Sequence, residues 1–179
     1  MARILGTFLS ALPVAGIVLL AGCGKGPKDI TMAMAKMEPT AGNTAKGEIT
    51  FTKVKGGVRI AAEITGLTPG KHGFHIHEKG DCSAPDAKSA GGHHNPDGTP
   101  HGAPDNEVSQ RHAGDLGNLV ADESGKATYE RVDKVLTLSG EKSIVGRAVI
   151  IHGGEDDLVS QPVGNAGNRV ACGLIVKIS

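Results

Sequence analysis

The chain has 179 residues, with 19 Lys and Arg against 19 Asp and Glu. It therefore carries no formal net charge and no global pull toward nucleic acid or an anionic membrane surface. With 39% hydrophobic and 21% charged residues it has enough apolar material for a core, and its length suits one domain. Three Phe, one Tyr and no Trp leave little for an aromatic recognition surface, while 27 Gly and 9 Pro favour turns and short strands over helices.

Residues 4–24 are uncharged, follow Arg3 and end in Leu20-Ala21-Gly22-Cys23. Residues 1–22 read as an export signal rather than part of a fold; Pro13 in the middle and the small residues before Cys23 favour a cleaved signal over a permanent span. The tetrapeptide LAGC resembles the lipobox of bacterial lipoproteins, which implies that Cys23 is lipidated, heads the mature chain and tethers it to a membrane. Residues 23–29 then form a short tether and 30–179 the domain, located in the cell envelope or periplasm. Cys82 and Cys172 remain, and in an oxidising compartment an even pair favours a disulfide over two free thiols. Closing a loop of roughly 90 residues contributes at most about 4–5 kcal/mol.

Alternating patterns predict strands over Ile30–Met37, Glu48–Val54, Val58–Ile64 and His72–Glu78, punctuated by Lys55-Gly56-Gly57 and Thr68-Pro69-Gly70. Lys79–Asp115 is rich in Gly, Pro, Asp, Asn and His and reads as a long loop, which needs an organiser other than an apolar core. Strands resume at Leu116–Ala121 and Lys126–Val132 around an Asp122-Glu123-Ser124-Gly125 turn, then at Val145–Ile151 and Arg169–Ile178, with a second loop over Gly153–Asn168. Eight short strands without an amphipathic helix predict an all-β antiparallel sandwich or barrel with two long functional loops.

Seven of the eight histidines fall between residues 72 and 112. His75 and His77 alternate with Phe74 and Ile76, so on a strand both imidazoles leave one face about 7 Å apart at Cα, close enough to share a metal. That pair alone is a weak signal, since two exposed polar residues show the same pattern. His93, His101, His112 and Asp115, spaced H-x7-H-x10-H-x2-D, form a three-imidazole, one-carboxylate set of the kind zinc takes, and such a site would order the loop that holds them. His152, at the end of a predicted strand, is placed to complete the first site, whose imidazole-only character suits copper.

GFHIHEKGDC (73–82), SAGGHHNPDGTPHG (89–102), RHAGDLGN (111–118) and GNAGNRVACGLI (164–175) together resemble the copper,zinc superoxide dismutase family, in order and over residues 30–179. The resemblance implies an eight-stranded Greek-key barrel that converts superoxide to oxygen and hydrogen peroxide. It implies copper on His75, His77, His93 and His152, and zinc on His93, His101, His112 and Asp115, with His93 bridging the metals and handling a proton. It further implies that Asp156 hydrogen-bonds one ligand of each metal, that Cys82 bonded to Cys172 ties the first loop to the last strand, and that Arg169 orients the anion. His72 matches a structural histidine, and His94, where an aromatic residue is usual, is expected at the surface.

The second loop departs from the pattern: EDDLVSQPV (155–163) lacks the lysine that guides the anion in many relatives, and Val163 stands where a threonine is common, so weaker steering is expected. The rival functions are a copper-holding or delivery module on the same fold and a structural lipoprotein whose metals only stabilise it. Retention of all six histidines, Asp115 and Arg169 favours the enzyme. Superoxide and the lipid-anchored membrane are the expected partners, nucleic acid is not, and the oligomeric state is open between monomer and homodimer.

Overall fold

Strand alternation sets the architecture. In the computed structural model, which describes residues 29–179, eight strands close into one antiparallel barrel. They are β1 (Met32–Pro39), β2 (Lys46–Val54), β3 (Gly57–Thr65), β4 (Gly70–His77), β5 (Asp115–Ala121), β6 (Ala127–Asp133), β7 (Ala148–His152) and β8 (Arg169–Lys177). Their order around the barrel is β1-β2-β3-β6-β5-β4-β7-β8, with β8 returning to β1. The β3–β6 and β4–β7 neighbours, distant in sequence, are the crossovers of a Greek key. The all-β barrel expected from the strand pattern is thus present, with boundaries shifted by at most three residues. The largest shift is at β7, where Gly146 in the left-handed region (φ 85°) delays the strand to Ala148.

Inward residues fill the barrel: Phe51, Ile60, Phe74, Ile76, Leu119 and Ile151 are fully buried in one cluster, each contributing about 1.5–3 kcal/mol by leaving water. Phe74 meets Tyr129 edge-on at 5.2 Å, and the Tyr129 hydroxyl donates to Leu116 O at 2.9 Å. Residues 134–147, between β6 and β7, add Leu136, Leu138 and Ile144 to the same core. Sequence reading passed over this segment because its apolar residues follow neither strand nor helix spacing.

Most strands show one buried face, but β4 is buried from His72 to His77 on both faces. Its core face carries Phe74 and Ile76, and its outer face carries His75 and His77 beneath the two long loops. Cys82 and Cys172 are disulfide-bonded with Cα atoms 5.8 Å apart, fastening the first loop to β8. A second fastening is a buried ion pair: Arg111 Nη2 donates to Asp133 Oδ2 (2.6 Å) and Arg111 Nη1 to Asp115 O (2.8 Å). Asp133 Oδ1 accepts the backbone N–H groups of Val135 and Leu136.

Removing one partner of such a pair leaves a buried charge unpaired. Asp133→Ala is therefore expected to lower the stability of the metal-free protein by about 3–5 kcal/mol in urea unfolding. A loss under about 1 kcal/mol, the value of an exposed pair, would refute the fastening role.

Candidate metal centre

The centre is built where β4, β7 and the two loops converge. His75 and His77 come from β4, and His152 ends β7 at a register shift that sets it opposite Arg169 of β8. His93 is brought in by a backbone bridge to His77, and His101, His112 and Asp115 follow from the first loop and the start of β5. All are buried. Two groups result, His75/His77/His93/His152 and His93/His101/His112/Asp115, and within each the ligand atoms lie within 4.8 Å of one another. They share His93, so the expected sets assemble residue for residue.

Each ring is held by one nitrogen, which leaves the other free. His75 Nε2–H donates to Asp156 Oδ2 (2.7 Å) and His101 Nε2–H to Asp156 Oδ1 (2.9 Å). His77 Nδ1–H donates to Gly91 O (2.9 Å), and His152 Nδ1–H to Gly167 O (3.1 Å). The opposite atoms, His75 Nδ1, His77 Nε2, His152 Nε2 and His101 Nδ1, are buried without partners, as is His93 Nε2. Four of them, on His75, His77, His93 and His152, are orphaned acceptors, costly in a protein interior unless a cation satisfies them, while His101 Nδ1 faces Asp115 Oδ1. The expected role of Asp156, one hydrogen bond to a ring of each group, is the arrangement seen. Gly164 makes room for it: at φ 70°, a Cβ there would run into Asp156 Oδ1 and His101 Nε2.

The second group is tighter. Asp115 Oδ1 lies 2.8 Å from His93 Nδ1, 3.1 Å from His101 Nδ1 and 3.2 Å from His112 Nδ1, and the His93 and His112 Nδ1 atoms are 3.3 Å apart. The edge of a tetrahedron with metal–ligand bonds of about 2.0–2.1 Å is about 3.3 Å, so the donors fit a tetrahedral zinc. Asp115 Oδ2 is turned away, accepting the backbone N–H groups of His112 (2.8 Å) and Gly102 (3.1 Å).

Burial and the buried carboxylates pull the rings in opposite directions. Burial, with a smaller push from His75, lowers His152 to about 3, and burial lowers His93 to about 4. His77 is also driven well below the usual range, by burial and then by His93. These rings keep neutral lone pairs at neutral pH. Burial also acts to lower His101, but the carboxylates of Asp115 and Asp156 outweigh it and hold that ring up to about 9. Burial acts to raise both carboxyls, yet hydrogen bonds from His101 and its neighbouring rings keep them far below the ordinary range.

A cleft of about 370 Å³ reaches His77, His93 and His152, and its wall includes Asp86, Lys88, Val163 and Arg169. The Arg169 guanidinium donates to Ala87 O and Gly91 O, both at 2.6 Å. Gly91 O thus serves His77 and Arg169 together, a link that sequence could not reveal because a carbonyl carries no residue signature. Lys88 was also missed: a lysine does line the cleft, but from the first loop, and it is ion-paired with Asp86 at 2.9 Å.

His72 keeps the structural place expected of it, donating from Nδ1 to His152 O at 2.8 Å. His94 corrects the surface expectation. It is 2% exposed, bonded through its backbone to Ile76 and Gly114, and its Nε2–H donates to Lys142 O at 3.2 Å. The imidazole fills a site an aromatic ring could fill and finds a hydrogen-bond partner there. Cys23, the signal and the tether up to residue 28 lie outside the described residues.

Comparison with known proteins agrees with this geometry. Residues 45–175 match the family model described as copper/zinc superoxide dismutase (SODC). The chain is 49% identical over 138 residues to an extracellular copper-zinc superoxide dismutase of Drosophila melanogaster, covering 73% of this chain and 75% of the relative. It is 44% identical over 137 residues to a copper-zinc superoxide dismutase of Paramecium bursaria Chlorella virus 1, covering 73% and 72%. Among solved structures, the clock protein EA4 superposes with a TM-score of 0.78 at 44% identity, over 87% of this chain and 99% of that one. With its barrel, its paired donor groups and a family match over most of its length, the chain belongs to the copper/zinc superoxide dismutase family.

Proposed function

We propose that this protein dismutates superoxide at a copper held by His75, His77, His93 and His152, beside a zinc held by His93, His101, His112 and Asp115. The observation that carries this is the pair of buried donor groups sharing one imidazole, with the four ring nitrogens that face the first group lacking any protein partner. When bound, copper supplies the one-electron redox couple and zinc fixes the shared ring and its charge. The protein's residues do the rest. Arg169, anchored by two carbonyls, offers a fixed cation at the cleft wall that orients a small anion. His93 Nε2 is the atom at which a proton can be held and passed to the departing peroxide, since Asp115 faces the ring's other nitrogen. Asp156 holds His75 and His101 by Nε2, so that Nδ1 of each ring faces the centre.

Export is supported by the Cys82–Cys172 bond and by a relative that is named extracellular. Membrane tethering through a lipid on Cys23 rests on the LAGC segment.

The activity is tested by pulse radiolysis of protein whose copper and zinc have been quantified. Copper-dependent decay of superoxide is expected, abolished in His75→Ala and reduced about tenfold in Arg169→Ala. Full copper occupancy without catalysis would instead support metal holding. At the cleft, the Asp86 carboxylate offsets the charge of Lys88, so steering is expected to be weak. Asp86→Asn should raise the rate about two- to threefold at low salt and steepen its fall with added salt; no change in either would contradict this account. For the tether, Cys23→Ser should move the protein from the membrane to the soluble fraction, and an unchanged distribution would rule out the lipid.

A further inference from the structure

His101 has no regular structure to hold it. His93 is bridged to β4 through His77, and Asp115 opens β5 and donates its backbone N–H to His112 O. His101 sits between Pro100 and Gly102 in a stretch without regular structure, and among the described residues its N–H and C=O find no backbone partner. Both are buried polar groups that need one.

The side chain of Gln161 supplies both. His101 N–H donates to Gln161 Oε1 (2.8 Å), and Gln161 Nε2–H donates back to His101 O (2.9 Å) and also to Val159 O (3.2 Å). The primary amide thus imitates a β-ladder rung, and the two His101 groups dictate which way round it sits. Gln161 belongs to the same loop as Asp156, whose Oδ1 accepts the His101 ring Nε2–H. The loop therefore grips His101 twice, by backbone and by ring. Val163, on the cleft wall, follows two residues later.

We infer that Gln161 is a positioning residue for the zinc site: it holds the His101 backbone so that Nδ1 meets the metal, and it couples the order of the cleft-forming second loop to zinc occupancy. This deepens the zinc-site reading above and rests on it. Asp156 holds the ring at Nε2 but leaves the backbone that carries it unanchored; the amide clasp anchors that backbone. Two hydrogen bonds to buried groups, lost together, correspond to about a tenfold change in retention.

The test is metal-free protein loaded with Co(II) as a spectroscopic probe of the zinc group. Gln161→Met keeps the volume and removes both bonds, Gln161→Ala is a second variant, and Val159→Ala, exposed on the same loop, is the control. Both Gln161 variants are expected to shift the visible d–d bands of tetrahedral cobalt and to release Co(II) and Zn(II) to a chelator about tenfold faster, with the control unchanged. A positioning role moves the bands, whereas a role in global stability alone moves only the melting temperature. Bands and release rates equal to those of the parent would overturn the inference. Absence of tetrahedral cobalt bands in the parent itself would overturn the zinc-site reading beneath it.

Discussion

A neutral imidazole has two nitrogens and one proton, and here the surrounding chain decides which nitrogen carries it. Asp156 takes the Nε2 protons of His75 and His101, while Gly91 O and Gly167 O take the Nδ1 protons of His77 and His152. Nδ1 of His75 and His101 and Nε2 of His77 and His152 are then turned inward, where they converge on His93. Every one of these acceptors lies on the two long loops, while His75, His77 and His152 stand on strands. Strands thus deliver rings to a rigid position, and loops choose the coordinating atom. A change that left every histidine in place but moved Asp156 would present the wrong nitrogen.

The loops can do this only because they are fastened. The first is bound to β8 by the disulfide and to β6 by Arg111–Asp133 and by Arg131, whose Nη2 donates to Pro104 O and pairs with Asp105. The second is fastened by reciprocal amide pairs: Asn118 of β5 pairs through Oδ1 and Nδ2 with the backbone N–H and C=O of Asp156, just as Gln161 of the loop pairs with His101. A loop of this length without a core is stabilised by such reciprocal amide pairs and, when loaded, by metal. The same fastenings fix Arg169 on the cleft wall, since Gly91 O receives both His77 and Arg169. One carbonyl therefore links a proposed copper ligand to the arginine proposed to orient the anion.

Much of this was legible in residue order. The Phe74/His75/Ile76/His77 alternation states which side of β4 is core, and the barrel confirms it, with Phe74 and Ile76 inside. His93, His101, His112 and Asp115 were legible as a group because so dense a run of imidazoles in a glycine-rich loop suits a metal better than plain solvation. His94 was misread because a polar residue beside a loop turn carries no mark of burial; only the packing of residue 142 against it decides the matter. Lys88 was overlooked for a related reason: charge on a loop says nothing about which cleft it faces. Leu136, Leu138 and Ile144 entered the core unannounced, since an irregular segment can bury apolar side chains without any period.

Residue order alone settles the strand count, the core face of β4 and which side chains stand as candidate metal donors, because these follow from local alternation and from the side chains themselves. It leaves open which ring nitrogen binds, which backbone carbonyls anchor Arg169, and what holds His101. The fold decides those, because backbone carbonyls and amides are the same in every residue and acquire a role only when contacts across tens of residues bring one of them to within about 3 Å of a particular ring or guanidinium.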